Sequence, residues 1–330
     1  MRLGVIAGMG SDWRESVEKV RIAEDLGYEL VTNGESWQAS VLPWLTLVAA
    51  NTSKIQIGPS ILNCYSRSPA VMAQEFAALE EISDGRMIYG LGSSGNLVIE
   101  GYHGIPFDRP LRRMREYVEI FRILMSGERL NYDGEIYQLD RGFRIDFKRQ
   151  RETIPVYIAA ITPKSIAQTG ELADGIFPIH WPQEAFGTLR DELAVASTAA
   201  GRPANSVTIA PFTNIYVLDG DDDEAKWRAA RQPLFHYINR MGSFYWQMLS
   251  RQGFEAEVGA SREAWADRNQ DGAFEALSEG MVRSIQVVGP LDSVREQLQQ
   301  RSDQGADLQM VQMPQGSPTE AGAFLQQLLS

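Results

Sequence analysis

Residues 55–95 read IQIGPSILNCYSRSPAVMAQEFAALEEISDGRMIYGLGSSG, and their apolar period changes twice. Ile55–Ile61 follows a short alternation into an apolar run, as a buried strand does. Pro69 then opens a stretch at 70–83 with helical spacing, which Asp84-Gly85 stops. Met87–Leu91 is apolar again and ends in Gly92-Ser93-Ser94-Gly95. Strand, helix and strand in direct succession call for a parallel sheet covered by helices.

The same alternation continues on both sides. Strands are predicted at 2–8, 28–33, 155–160, 175–179, 206–217 and 284–288, with helices at 11–26, 39–52, 109–125, 163–172, 183–200 and 291–303. Leu308–Met313 is a last short extended segment. That makes eight strand–helix units with no GxGxxG after the first strand, which favours a closed (β/α)8 TIM barrel over an open nucleotide-binding sheet. The chain of 330 residues is then a single domain, 1–330, since barrels of this kind take about 250 residues plus insertions. Two segments interrupt the rhythm: 128–150, where Asp133-Gly134 between alternating runs signals a β-hairpin insertion, and 221–280, a charged, aromatic-rich helical insertion.

Composition excludes several function classes. A net charge of −12 argues against a nucleic-acid partner. Cys64 is the only cysteine and the three histidines are far apart in sequence, so neither a disulfide framework nor a metal centre is expected. The start, Met1–Ala7, enters a strand directly and no apolar run is long enough to cross a bilayer, so a cytoplasmic protein is expected.

In such a barrel the chemistry gathers where strands end and the following loops begin. Those positions hold Gly8; Glu35, Ser36 and Trp37; Ser60, Ile61, Asn63 and Cys64; Gly92, Ser93 and Ser94; Ala159, Ala160 and Thr162; and His180 with Trp181. Several admit two readings. Asn63, Ser66 and Arg67 either face a ligand or make the turn and cap of the helix at Pro69. The Gly92–Gly95 loop either presents donors to an anion or is a plain turn. Ala159-Ala160 leaves room for a neighbouring side chain or for a flat ligand. Glu35 beside Trp37 is a carboxylate whose pKa desolvation would raise for acid–base work, or it caps a helix. His180 is a proton donor or a structural histidine. Cys64 reads as packing.

Three segments, 58–95, 109–128 (RPLRRMREYVEIFRILMSGE) and 154–178 (IPVYIAAITPKSIAQTGELADGIFP), resemble the bacterial-luciferase-like superfamily, and within it the coenzyme F420-dependent oxidoreductases related to methylenetetrahydromethanopterin reductase. The likeness spans about 1–215 and returns at 281–300. It implies a non-proline cis peptide, here Ser60–Ile61, behind the central ring of a deazaflavin, with Asn63 reaching the ring's polar edge. Gly92, Ser93 and Ser94 would border the ribityl or phosphate side, and Ala159, Ala160 and Thr162 the phosphate-bearing tail. Many relatives have glycine where this chain has Ile161.

The reaction so implied is hydride transfer between F420 and a small organic substrate, with Glu35 handling a proton and Trp37 and Trp181 excluding water. Lys164 and the Arg109–Arg115 cluster are the cations available to an anionic tail, although a helix face of that kind is commonly just solvated. The same scaffold serves an FMN-dependent monooxygenase using reduced flavin and O2, or a non-catalytic barrel subunit. A homodimer is expected, with the 221–280 segment as lid or interface.

Overall fold

The computed structural model describes residues 1–329. Its strands in chain order are β1 (Leu3–Ile6), β2 (Leu30–Asn33), β3 (Gln56–Pro59), β4 (Leu62–Asn63), β5 (Tyr89–Gly92), β6 (Leu130–Asp133), β7 (Gln138–Phe143), β8 (Val156–Ile158), β9 (Gly175–Ile176), β10 (Thr208–Ile209), β11 (Phe212–Thr213), β12 (Ile215–Val217), β13 (Val287–Gly289) and β14 (Gln309–Gln312). Two five-stranded parallel sheets, β11-β14-β1-β2-β3 and β10-β9-β8-β5-β4, share the chain at two bent strands. β3 runs into β4 through Ser60–Ile61, and β10 runs into β11 through Ala210-Pro211. Each seam is hydrogen-bonded: Ile88 N–H reaches Ile57 O at 2.8 Å, and Asp307 N–H reaches Ile209 O at 2.9 Å. The halves therefore close into one eight-stranded ring.

The ring is completed by β14, which pairs with both β1 and β11. This corrects the expected last strand. Of the 284–288 segment only Val287 and Val288 enter a strand, β13, which pairs only with β12 outside the ring, while Ser284 and Ile285 end the helix Glu279–Ile285; Leu308–Met313 supplies the eighth barrel strand. Apolar alternation is the same in both, so only pairing tells them apart. The predicted 206–217 strand likewise breaks into three short pieces with three different partners. Pro211 sits at the first break, where it has no N–H to give to a ladder.

Outside lie helices that pack on the ring, among them Trp13–Asp25, Val41–Asn51, Pro69–Ile82, Pro110–Met125, Pro163–Leu172, Phe186–Ala199, Leu291–Asp303 and Pro318–Leu329. Their starts follow local chemistry: Asp12, Ser68 and Thr162 each accept an N–H of the first turn, and proline follows Ser68 and Thr162 directly. At the floor of the barrel, Arg86 donates to the carbonyls of Ala49, Thr52, Ile55 and Ser83 at 2.6–2.9 Å, tying two helix ends to β3. The Asp84-Gly85 turn before it holds both residues at positive φ, 53° and 81°. That part of the 58–95 motif serves stability.

The barrel interior is its own cluster: Leu30, Ile88, Tyr157, Phe177, Ala210, Leu308 and Met310. It is a packed plug, and glycine makes room for it. A Cβ on Gly58 would stand 2.3 Å from Ile88 Cγ1 and one on Gly175 2.2 Å from the Tyr157 ring. The Asp133-Gly134 signal does form a hairpin, β6 with β7. Residues 223–285 form five helices and one π turn. Their buried side chains, Leu234, Phe235, Met248 and Phe274 among them, belong to the same contiguous core as the outer barrel.

Candidate active site

Four partly buried side chains cap the interior plug at the carboxyl ends of the strands: Ile6, Ile61, Ala159 and Phe212. They come from β1, the β3–β4 bend, the residue after β8, and β11, which are alternate staves of the ring. A layer of four from alternate strands is how these barrels fill. This layer is half open to the mouth, so it offers an apolar floor to something flat. Gly92 fits the floor together, because a Cβ there would lie 2.9 Å from Ile61 Cγ1 and Cδ1 and 3.4 Å from Ala159 Cβ. The Ser60–Ile61 peptide is cis, at the bond the family resemblance implies. Ser60 Oγ donates to Thr32 Oγ1 at 2.9 Å, and Ser60 N–H to Asn33 O at 2.7 Å.

Around the floor, the expected residues divide. Gly8 is on the rim, its carbonyl held by Ser16 and its Cα facing the Asn33 amide. Ser93 and Ser94 are partly exposed, with Ser94 at φ 57°. The helix that follows them spans only Asn96–Gly101, so the loop offers hydroxyls and backbone groups rather than a helix terminus. Ala160 is buried behind Ala159. Thr162 caps Pro163–Leu172 in a reciprocal pair with Ser165.

Asn63 makes the turn, one of the two readings given to it. It is 2% exposed, and its Oδ1 accepts from the N–H groups of Tyr65 and Ser66 at 3.0 and 2.8 Å. That amide oxygen is spent on the turn and does not reach into the mouth. Glu35 is corrected too. Arg67 donates to both its oxygens, at 2.6 and 3.2 Å, and Val41 N–H to Oε2 at 2.9 Å. Desolvation pushes the Glu35 pKa up, but the Arg67 and Val41 bonds outweigh it and hold the carboxyl below its ordinary range. Glu35 is thus an ionised carboxylate. Trp37 does not cover it; the indole is 55% exposed. Trp181 is buried, donating from Nε1 to Ala185 O at 3.2 Å.

His180 follows β9 at φ 54° and is buried, with Nε2 lacking any hydrogen-bond partner among the described residues. Burial first, then the neighbouring His236, pulls its pKa down to about 3, so the imidazole is neutral. Cys64 is buried, and desolvation pushes its thiol up to about 12, which leaves it inert packing. The arginines of the Arg109–Arg115 cluster are engaged elsewhere: Arg112 with Glu116 and Glu135, Arg113 and Arg109 with Asp108, Arg115 with Glu171. They hold the helix to its surroundings. Lys164, exposed in the first turn after Thr162, makes no ion pair among the described residues, and Arg251 donates to Ile161 O at 3.3 Å beside it.

The luciferase-like monooxygenase profile matches residues 1–308. This chain belongs to the luciferase-like monooxygenase family. A 5,10-methylenetetrahydromethanopterin reductase of Archaeoglobus fulgidus is 30% identical over 305 residues, covering 91% of this chain and 88% of the relative. The solved structure of the coenzyme F420-dependent tetrahydromethanopterin reductase of Methanopyrus kandleri superposes with a TM-score of 0.83 at 22% identity, covering 99% of this chain and 97% of that one. An FMN complex, the oxygenating constituent of 3,6-diketocamphane monooxygenase from Pseudomonas putida, gives a TM-score of 0.68 at 17% identity, covering 99% and 96%. The fold is common to both; its cofactor is not fixed by shape.

In this luciferase-like barrel, sequence reasoning found the rim but missed half of the floor. Ile6 and Phe212 carry no motif. The signal was present as period-two alternation with Gly4 and Ala210, which places Ile6 and Phe212 on the inner face of their strands. Sequence alone reads Arg67 as facing a ligand or as part of the turn before Pro69, and not as a partner of Glu35. Its partnership with Glu35 links positions 32 apart in sequence, which no local pattern reveals.

Proposed function

We propose that this chain is a coenzyme F420-dependent oxidoreductase that transfers a hydride between the deazaflavin and a small organic substrate. The half-open apolar layer of Ile6, Ile61, Ala159 and Phe212 is the observation that carries it, taken with similarity to a methylenetetrahydromethanopterin reductase and to a putative coenzyme F420-dependent oxidoreductase over most of both chains. When bound, F420 supplies a two-electron hydride donor whose reactive carbon does not readily activate oxygen. The protein's task is then alignment and exclusion of water. Ile61 and Ala159 seat the ring system, with Ser60 fixed through Thr32. Gly92, Ser93 and Ser94 border the ribityl side. Ala160 and Thr162 follow the tail, where Lys164 and Arg251 offset its negative charge. Glu35, ionised, supplies no proton near neutrality and holds Arg67 at the rim.

Fluorescence titration of the purified protein with F420 and with FMN tests this reading. Micromolar binding of F420 and none of FMN is expected. FMN binding without F420 binding overturns it in favour of a monooxygenase that uses reduced flavin and O2. The proposed setting is a cytoplasmic homodimer, supported by the exposed Phe143 on the hairpin, 75% accessible in the single chain. A monomer by light scattering would count against it. Among the described residues no helix is long and apolar enough to cross a membrane.

A further inference from the structure

Between the barrel mouth and the helices of the 221–280 segment lies a polar–aromatic cluster, His180 with Tyr237 and Tyr245, that the proposed hydride transfer has not used. The helix Phe244–Leu249 is held over the rim at both ends. Gly242 before it approaches Asn96 of the loop after β5, and Arg251 after it bonds Ile161 of the loop after β8. His180 rises from the next rim position. Its ring meets Tyr237 edge-on at 4.6 Å, and Tyr237 meets Tyr245 edge-on at 4.5 Å.

Three polar ends in this cluster lack partners. His180 Nε2 is buried with nothing bonded to it. Among the described residues the hydroxyls of Tyr237 and Tyr245 make no hydrogen bond, yet neither is a buried polar atom left unpaired, so both open onto accessible space. A buried imidazole nitrogen without a partner is costly unless something fills the position. The nearby cations are engaged elsewhere, Arg251 with Ile161 O. Arg240 lies over the Trp265 ring and Arg262 over Trp246, and no ion pair involves His180, Tyr237 or Tyr245 among the described residues.

We infer that this cluster lines the substrate pocket, and that it selects an uncharged, flat substrate whose hydroxyl or carbonyl oxygen bonds among His180, Tyr237 and Tyr245. The inference rests on the hydride-transfer reading for the cofactor's position, but it concerns different residues. Rings packed edge-on against one another leave outer faces on which a planar body can lie. Neutral His180 and the two phenols can each give or take one hydrogen bond, whereas a carboxylate or phosphate would enter without a counter-ion.

Calorimetric titration of the full chain with 4-hydroxyacetophenone, toluene, benzoate and phenyl phosphate tests it, with F420 affinity measured on the same samples. 4-Hydroxyacetophenone should bind about tenfold or more tighter than the other probes. Tyr237→Phe keeps the ring packing and removes only the hydroxyl. His180→Asn keeps a residue that tolerates positive φ. Each should weaken the probe about fivefold to tenfold while F420 affinity stays within about twofold. Equal binding of benzoate or phenyl phosphate, or no effect of either variant, overturns the pocket. Selective probe binding without F420 binding would leave the pocket standing and remove the cofactor reading instead.

Discussion

Arg67 grips Glu35 with both terminal nitrogens, and the two side chains are only 16% and 11% exposed. Arg67 also reaches Glu75 through Nε at 3.4 Å. A carboxylate so held is ionised through the neutral range, and its titration is a direct test. In ¹³C-glutamate NMR, the carboxyl resonance that disappears in Glu35→Gln should titrate below the ordinary 4.5. A midpoint near 6 would restore Glu35 as a general acid. Arg67→Met should raise that midpoint and cost about 3 kcal/mol of stability, because it leaves a half-enclosed carboxylate without its cation.

The floor predicts a separation of binding from stability. Ala159 opens to the mouth, so Ala159→Leu fills ligand space without disturbing the plug beneath. F420 affinity should fall about tenfold or more while the melting temperature moves by only a few degrees. Gly92→Ala should act from the other side, since its methyl would push Ile61, 2.9 Å away, into the mouth. Unchanged affinity in both variants would mean that the ring system does not rest there.

Much of this was legible in the sequence, for reasons that mark where legibility ends. Helix starts are local chemistry: Ser68-Pro69 and Thr162-Pro163 announce themselves, and the helix at 163–172 has its predicted bounds. Strand partners are not local. The apolar runs around 287 and 310 look alike, and only the ring's closure against β1 makes the second a barrel stave. The rim was readable because small and polar residues end apolar runs. What those residues bond to was not, since Asn63 turned inward to its own loop and Glu35 found a partner far along the chain.

Glu116 illustrates a carboxylate with a purely structural task. Its side chain is fully buried and accepts the N–H groups of Glu135, Ile136 and Tyr137, with Arg112 Nε at 2.9 Å completing its shell. Desolvation opposes ionisation there, but those donors hold its pKa below the ordinary range. Glu116→Ala strands several donors at once and should cost about 3 kcal/mol. The β6–β7 hairpin would loosen first, so limited trypsin digestion should cut sooner at Arg141 and Arg144. F420 affinity should not move; if it does, the hairpin is coupled to the mouth.

His180 makes acid sensitivity a measurable property of the site. Its folded pKa lies far below the ordinary 6.5, at about 3. Below 6.5 the unfolded chain takes up a proton that the folded imidazole refuses, so stability must fall as pH drops, by up to about 1.4 kcal/mol per unit for this group. Carboxylates held below their ordinary range, such as Glu35 and Glu116, join in only under about 4.5. Between those limits His236, also lowered, adds to the effect, while Glu75, held above its ordinary value, works in the opposite direction. Urea unfolding of the wild type from pH 6.5 to 4.5 should therefore show a declining stability that His180→Asn flattens and His236→Gln flattens less. A slope that His180→Asn leaves unchanged would mean that the imidazole is solvated and charged in the folded protein, and the space beside Tyr237 would then be open to anions.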